Sequence, residues 1–263
     1  PSLSRCTPHK RFFMQADYSP APDLLKERVI AVTGAGSGFG QAAAKAYAAH
    51  GATVILLGRT LSKLEETYDA IEAAGGAQPA IFPINLESLT EQEYYALSET
   101  IYKEFNRLDG LLHCAAQLAL LSRIDDYDLE TWNKVMQVNL TAPFMLTQVC
   151  LPLLKRADDA SIIFTSDQVG RKGKAYWGAY GVSKFGVEGL MQILAEETED
   201  SPLRVNSIAP GAARTALRAW AYPGEDPQER PLPEAFMRPF LYLMGPDSAG
   251  VTGQAFDAQA EKL

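Results

Sequence analysis

The stretch Val29-Ile30-Ala31-Val32-Thr33-Gly34-Ala35-Gly36-Ser37-Gly38-Phe39-Gly40 runs from an apolar strand pattern into a glycine-rich turn. An alanine-rich helical pattern, Phe39–Ala49, follows at once. The glycines have separate uses. Gly34 takes the tight turn, Gly38 lets an anion approach the backbone, and Gly40 lets the helix lie close to the strand. Free N–H groups at the helix start, around Ser37 and Phe39, meet a phosphate there. A strand before and a helix after make this octet a dinucleotide fingerprint rather than an ordinary turn.

Outward from this turn, short apolar runs alternate with longer amphipathic ones. Strands are expected at Val29–Thr33, Thr53–Leu57, Ala80–Ile84, Gly110–His113, Ser161–Thr165, Arg204–Ile208 and Gln254–Phe256. Helices are expected at Phe39–Ala49, Leu61–Ala74, Glu91–Phe105, Leu129–Lys155, Ala179–Glu199 and Glu234–Met244. Leu61, Leu64, Tyr68 and Ile71 show the helical period on one stripe. Strands that are apolar throughout and separated by helices imply an α/β fold. Its doubly wound parallel sheet (Rossmann fold) has about seven strands, helices on both faces, and a ligand crevice at the strands' carboxyl ends. The Pro-, Gly- and charge-rich stretch 213–233 breaks the rhythm where a lid over that crevice is needed.

The 263 residues, 47% hydrophobic and 21% charged, fit one globular domain over 24–263. A net charge of −8 argues against a nucleic-acid or anionic-membrane surface. No apolar run approaches the roughly 20 residues of a membrane helix. Cys6, Cys114 and Cys150 are scattered and fit a reducing compartment, with the cytoplasm as the default location. His9, His50 and His113 lie far apart, so no metal site is expected. Residues 1–23 read as a disordered tail. Arg5, Lys10 and Arg11 leave a transit peptide as the alternative, and Met14 as an alternative start.

The second strand ends Leu57-Gly58-Arg59-Thr60, with no acid at its tip. NAD enzymes place a carboxylate there for the ribose hydroxyls. Arg59 instead suits a 2′-phosphate, which favours NADP(H) over NAD(H). The alternative is a solvated arginine at a helix start.

Tyr180 and Lys184 are four residues apart, hence on one helix face, opening the helix after the fifth strand. A tyrosine with a pKa of about 10 is a poor base at neutral pH, and a neighbouring ammonium favours its phenolate. Such a tyrosine moves a proton to or from a substrate oxygen. From about residue 24 to 258, the glycine turn, this pair and Pro210-Gly211 with Thr215 resemble the short-chain dehydrogenase/reductase family. More narrowly, 136–148, 177–184 and Phe256-Asp257-Ala258-Gln259 are similar to the YciK-type bacterial oxidoreductases. The resemblance implies that Lys184 also binds the nicotinamide ribose, and that Pro210, Gly211 and Thr215 hold the nicotinamide end. It assigns Asn139 to a helix kink and a water of the proton relay. Asn85, Leu86, Cys114, Ala115 and Ala116 fall at further cofactor-contacting positions. It also implies a homo-oligomer, a dimer or tetramer.

Three departures stand out. The family's serine, thirteen residues before the tyrosine, is Asp167. An ionised Asp167 only accepts hydrogen bonds and opposes phenolate formation, unless it is protonated or paired with a cation. Ser166 beside it faces the other way on a regular strand. His113-Cys114-Ala115-Ala116 replaces the family's Asn-Asn-Ala-Gly. Cys114 thereby loses an amide that ties the central strands, and is either a redox sensor or a plain buried thiol. Asn85 stands for an aspartate near the adenine, a mild change.

Arg171, Lys172 and Lys174 lie between Asp167 and Tyr180, either as a solvated loop or as cations that draw an anionic substrate or neutralise Asp167. Trp177, Trp220 and Tyr222 line the substrate pocket or pack in core and lid. The expected activity is NADP(H)-dependent hydride transfer between nicotinamide and a small-molecule carbonyl or alcohol. The alternative is a cofactor-binding sensor or scaffold whose turnover Asp167 has weakened.

Overall fold

The β-strands are β1 (Val29–Thr33), β2 (Thr53–Gly58), β3 (Ala80–Pro83), β4 (Gly110–His113), β5 (Ala160–Thr165), β6 (Leu203–Ala209) and β7 (Ala255–Asp257). In this computed structural model, which describes residues 18–259, they form one parallel sheet of order β3-β2-β1-β4-β5-β6-β7. The helices are α1 (Gly38–Ala49), α2 (Leu61–Ala73), α3 (Glu91–Phe105), α4 (Leu129–Met136), α5 (Ala142–Leu154), α6 (Gly178–Glu197), α7 (Ala216–Ala221) and α8 (Met237–Met244). The expected doubly wound α/β architecture is the one observed.

Alternation along each strand explains why the sheet is covered twice. Ile30 and Val32 join Val54 and Leu56 against Ala43 and Tyr47 of α1 and Phe240 of α8. Ala31, Ile55, Leu111 and Ile162 point the other way, toward Tyr94 and Ile101 of α3, Val149 of α5 and Met191 of α6. With both faces buried, no polar alternation survives in the central strands, which is the pattern the sequence carries. The chain leaves β1 toward β2 and β3, then returns to place β4 on the other side of β1. Loops diverge there, and the crevice opens at the carboxyl ends of the two strands.

Two local features refine the sequence reading, the first at the Asn139 kink that the resemblance implied. The helix expected over Leu129–Lys155 is interrupted by a π-helical turn, Gln137–Thr141, between α4 and α5. The segment 213–233 holds α7 as well as loop. Of the expected tail 1–23, residues 18–23 are described. Tyr18 donates to Asp247 at 2.9 Å and packs edge-on against Tyr242. The readings on Arg5, Cys6, His9, Lys10, Arg11 and Met14 lie outside the described residues.

Candidate active site

The glycine turn closes tightly. Gly34 has φ +69°, and a Cβ on it would stand 3.0 Å from the backbone of Ala115. At Gly40 a Cβ would meet the Gly34 carbonyl oxygen at 2.3 Å, so α1 approaches β1 as closely as only glycine permits. Ser37 occupies the N-cap of α1 without a side-chain capping bond, leaving that helix end with donors for an anion. Gly38, at φ +55°, faces Thr215 across the crevice: Thr215 Cγ2 lies 3.4 Å from where its Cβ would be. This cradle, closed to side chains and lined by amides, fits a dinucleotide pyrophosphate.

Every residue expected to touch a cofactor lines one cleft of about 790 Å³. Gly34, Ser37, Gly38, Phe39 and Gly40 form its floor, and Pro210, Gly211 and Thr215 its far wall. Phe39 is held by stacking on Phe240, ring centroids 6.0 Å apart. At one end stand Arg59, Asn85 and Leu86. Asn85 Oδ1 accepts from the Glu87 backbone N–H at 3.3 Å. Arg59 is exposed and makes no ion pair among the described residues. The sequence reading missed Lys63, whose Cβ lies 2.8 Å from where a Gly36 Cβ would be. On α2 it has the look of any solvated helical lysine, and only the packing of that helix on the glycine turn brings it into the cleft that Arg59 also lines.

The loop after β4 is fixed by Thr33 rather than by the asparagine that Cys114 replaces. Thr33 Oγ1 accepts from the N–H groups of Cys114 at 2.9 Å and Ala115 at 3.1 Å, tying β1 to β4. Ala116 lines the cleft beside them. Burial pushes the Cys114 thiol up, away from a reactive thiolate. Beneath it, His113 stacks on Phe164 at 4.8 Å and shares a 2.8 Å hydrogen bond with Thr147. Burial, with the Lys184 charge second, lowers His113 to about 3.

At the other end of the cleft Tyr180, Lys184 and Asp167 meet. Tyr180 stands in the first turn of α6 and Lys184 one turn on, both nearly fully buried. Lys184 Nζ donates to the Thr165 carbonyl at 2.7 Å and lies 5.5 Å from the Tyr180 ring centroid. Asp167 begins a single 3₁₀ turn, Gln168–Gly170; its Oδ1 accepts from Val169 N–H at 3.0 Å. Its Oδ2 accepts from the Tyr180 hydroxyl at 3.3 Å. Burial, followed by the Asp167 charge and this hydrogen bond, raises Tyr180 well above its usual value. The lowering expected from Lys184 is therefore outweighed. Lys184 is itself lowered by burial, with Asp167 acting against that.

Asn139 stands behind this group rather than in the cleft. It lies in the π-helical turn, where its Oδ1 accepts from Gln117 N–H at 2.7 Å. Its Nδ2 donates to the Gln117 carbonyl at 3.0 Å and to Ser183 Oγ at 3.1 Å. Ser166 is buried with its hydroxyl unpartnered. Arg171 does not reach Asp167. Its guanidinium pairs with Glu188 at 2.9 Å and donates to the Phe256 carbonyl, which holds β7 in place. Trp177 is buried against Tyr180, centroids 5.6 Å apart, while Trp220 is largely exposed; both line the cleft.

The arrangement has relatives. The short chain dehydrogenase family profile matches residues 28–226. The oxidoreductase YciK of Escherichia coli (strain K12) is 48% identical over 242 residues, 92% of this chain and 96% of that protein. A short chain dehydrogenase structure from Pseudomonas syringae is 56% identical with a TM-score of 0.91, covering 95% of this chain and all of that one. A short chain dehydrogenase structure from Escherichia coli CFT073, complexed with NADPH, is 48% identical with a TM-score of 0.89. It covers 92% of this chain and all of that one. A glycine cradle over a parallel sheet, a tyrosine and lysine one turn apart, and these similarities lead to one conclusion: the chain belongs to the short-chain dehydrogenase/reductase family of oxidoreductases.

Proposed function

We propose that the protein is an NADP(H)-dependent reductase of carbonyl compounds, or the reverse alcohol dehydrogenase, with Tyr180 as the proton donor and acceptor. The observation that carries this reading is the meeting of Tyr180, Lys184 and Asp167 at one end of the cleft whose other end holds two cations, Arg59 and Lys63. The glycine turn and the start of α1 hold the pyrophosphate, Arg59 and Lys63 the 2′-phosphate, and Lys184, Pro210, Gly211 and Thr215 the nicotinamide end. Asn85, Leu86, Cys114, Ala115 and Ala116 line the course between them. Bound there, the nicotinamide supplies or accepts hydride.

Tyr180 does the proton chemistry. Its raised pKa keeps the phenol neutral at physiological pH, the state that donates to a carbonyl oxygen. As that proton leaves, the Lys184 ammonium offsets the charge on the phenolate, and the Thr165 carbonyl keeps the ammonium in place. Asn139 positions these groups through Gln117 and Ser183. Exposed Phe144, Val182, Phe185 and Ile193 on α5 and α6 support self-association through those helices.

One contact favours a second reading, a cofactor-binding protein of low turnover. Asp167 accepts a hydrogen bond from the Tyr180 hydroxyl where the family serine donates to substrate. NADPH oxidation with a panel of aldehydes and ketones separates the two. The reductase reading predicts turnover in the native protein and a loss of at least about 100-fold in Tyr180→Phe, with NADPH affinity retained. Asp167→Ser removes the competing acceptor and raises turnover. An inert native protein revived by Asp167→Ser selects the second reading; unchanged turnover in Tyr180→Phe overturns the first.

A further inference from the structure

Beyond Tyr180 the cleft is walled by rings. Trp177 lies against Tyr180 on one side and against Tyr222 on the other, with centroids 5.6 and 6.0 Å away. Lys174 closes this wall. Its Nζ lies 5.5 Å from the Trp177 centroid and 5.4 Å from the Tyr222 centroid, and it donates to the Tyr222 hydroxyl at 3.1 Å. It thus joins the loop after β5 to the end of α7.

The charges around it are otherwise matched. Arg218 stacks on Tyr222 at 3.6 Å, but the Glu225 carboxylate accepts from its Nε and Nη2, at 2.6 and 2.9 Å. Arg230 shares the same carboxylate. Together they hold Glu225 down at about 2. Arg171 is paired with Glu188. Lys184 is anchored on Thr165. Among the described residues, Lys174 is the one cation at this end of the cleft that neither pairs with an acid nor serves Tyr180. A phenol hydroxyl and two ring faces hold it weakly, so an incoming anion displaces no carboxylate.

Building on the reductase reading, we propose that the substrate is an anionic carbonyl compound with a flat apolar body. Its carbonyl oxygen meets Tyr180, its body lies along Trp177, and its acidic group, a carboxylate or phosphate, pairs with Lys174. One ring separates the phenol from the ammonium, so the substrate needs a rigid spacer of about that width between its two polar ends. Of the three loop cations, Lys174 alone lines the cleft.

Binding tests this independently of turnover. With NADP⁺ saturating, so that no hydride is available to consume the probes, tryptophan fluorescence is titrated with 4-carboxybenzaldehyde, 4-formylphenyl phosphate and the neutral methyl 4-formylbenzoate. Reduction of the same probes by NADPH is followed separately. At least one anion is expected to bind about ten-fold more tightly than the ester, and the better one tells carboxylate from phosphate. Lys174→Gln is expected to abolish that preference and Lys174→Arg to keep it. Both substitutions change an exposed side chain and are expected to leave the fold intact. Equal affinities in the native protein, or a preference that survives in Lys174→Gln, overturn the proposal. Preference without reduction of any probe leaves Lys174 assigned and counts against the reductase reading alone.

Discussion

Asp167 and Tyr180 show how one side chain redirects a site. A serine hydroxyl donates; a carboxylate placed 3.3 Å from the phenol accepts, and it adds its charge to the cost of making phenolate. The substitution was legible in the sequence as an oddity, but its contact was not: only the 3₁₀ turn at Gln168–Gly170 aims the carboxylate at Tyr180. His113 gives a second consequence at this scale. Its folded pKa, about 3, lies below the 6.5 of an unfolded chain, so folding favours the neutral ring. The stability this gives is complete above pH 6.5 and is lost as pH falls toward 3, by up to about 1.4 kcal/mol per unit. Urea unfolding at about pH 7.5 and about pH 5.5 checks it. His113→Asn is expected to flatten the pH dependence, and parallel slopes for the two proteins would exclude this origin.

At the scale of elements, hydrophobic period and glycine placement carried most of the information. The seven strands begin and end within a residue of where their apolar runs do, because burial on both faces leaves little freedom for a strand end. The resemblance implied a kink at Asn139 within the long helix over Leu129–Lys155 but not its form: the residue lies in a π-helical turn, with its amide committed to Gln117. α7 escaped notice since six residues show no period. Lys63 escaped because its proximity to Gly36 is a product of how α2 packs on the turn. The Arg59–Lys63 pair yields a prediction here. Replacing both by alanine is expected to weaken NADPH binding by about 100-fold and to leave NADH within about three-fold, as charge-assisted phosphate contacts are lost. Equal losses for both nucleotides would assign the two cations a structural role instead.

Across the molecule, the sheet is fastened at the end opposite the cleft. Arg204 of β6 is buried and pairs with Asp159 at 2.7 Å, while donating to the Leu243 carbonyl of α8 at 2.9 Å. Arg28, just before β1, shares Asp159. One carboxylate thus serves two arginines, and removing its charge strands both. Asp159→Asn is expected to lower unfolding free energy by about 2 kcal/mol, with cofactor affinity unchanged, because the site lies at the other strand ends. A loss below about 0.5 kcal/mol in denaturant titration would mean that solvent already screens the cluster. The remote clamp and the open cleft divide the work: one holds the strand order, the other exposes the loops where that order reverses. Titrating the native protein with NADPH and NADH addresses the central claim, that a 2′-phosphorylated nicotinamide dinucleotide lies in this cleft. NADPH is expected to bind at micromolar levels, at least about ten-fold more tightly than NADH; no uptake of either at about 1 mM would contradict it.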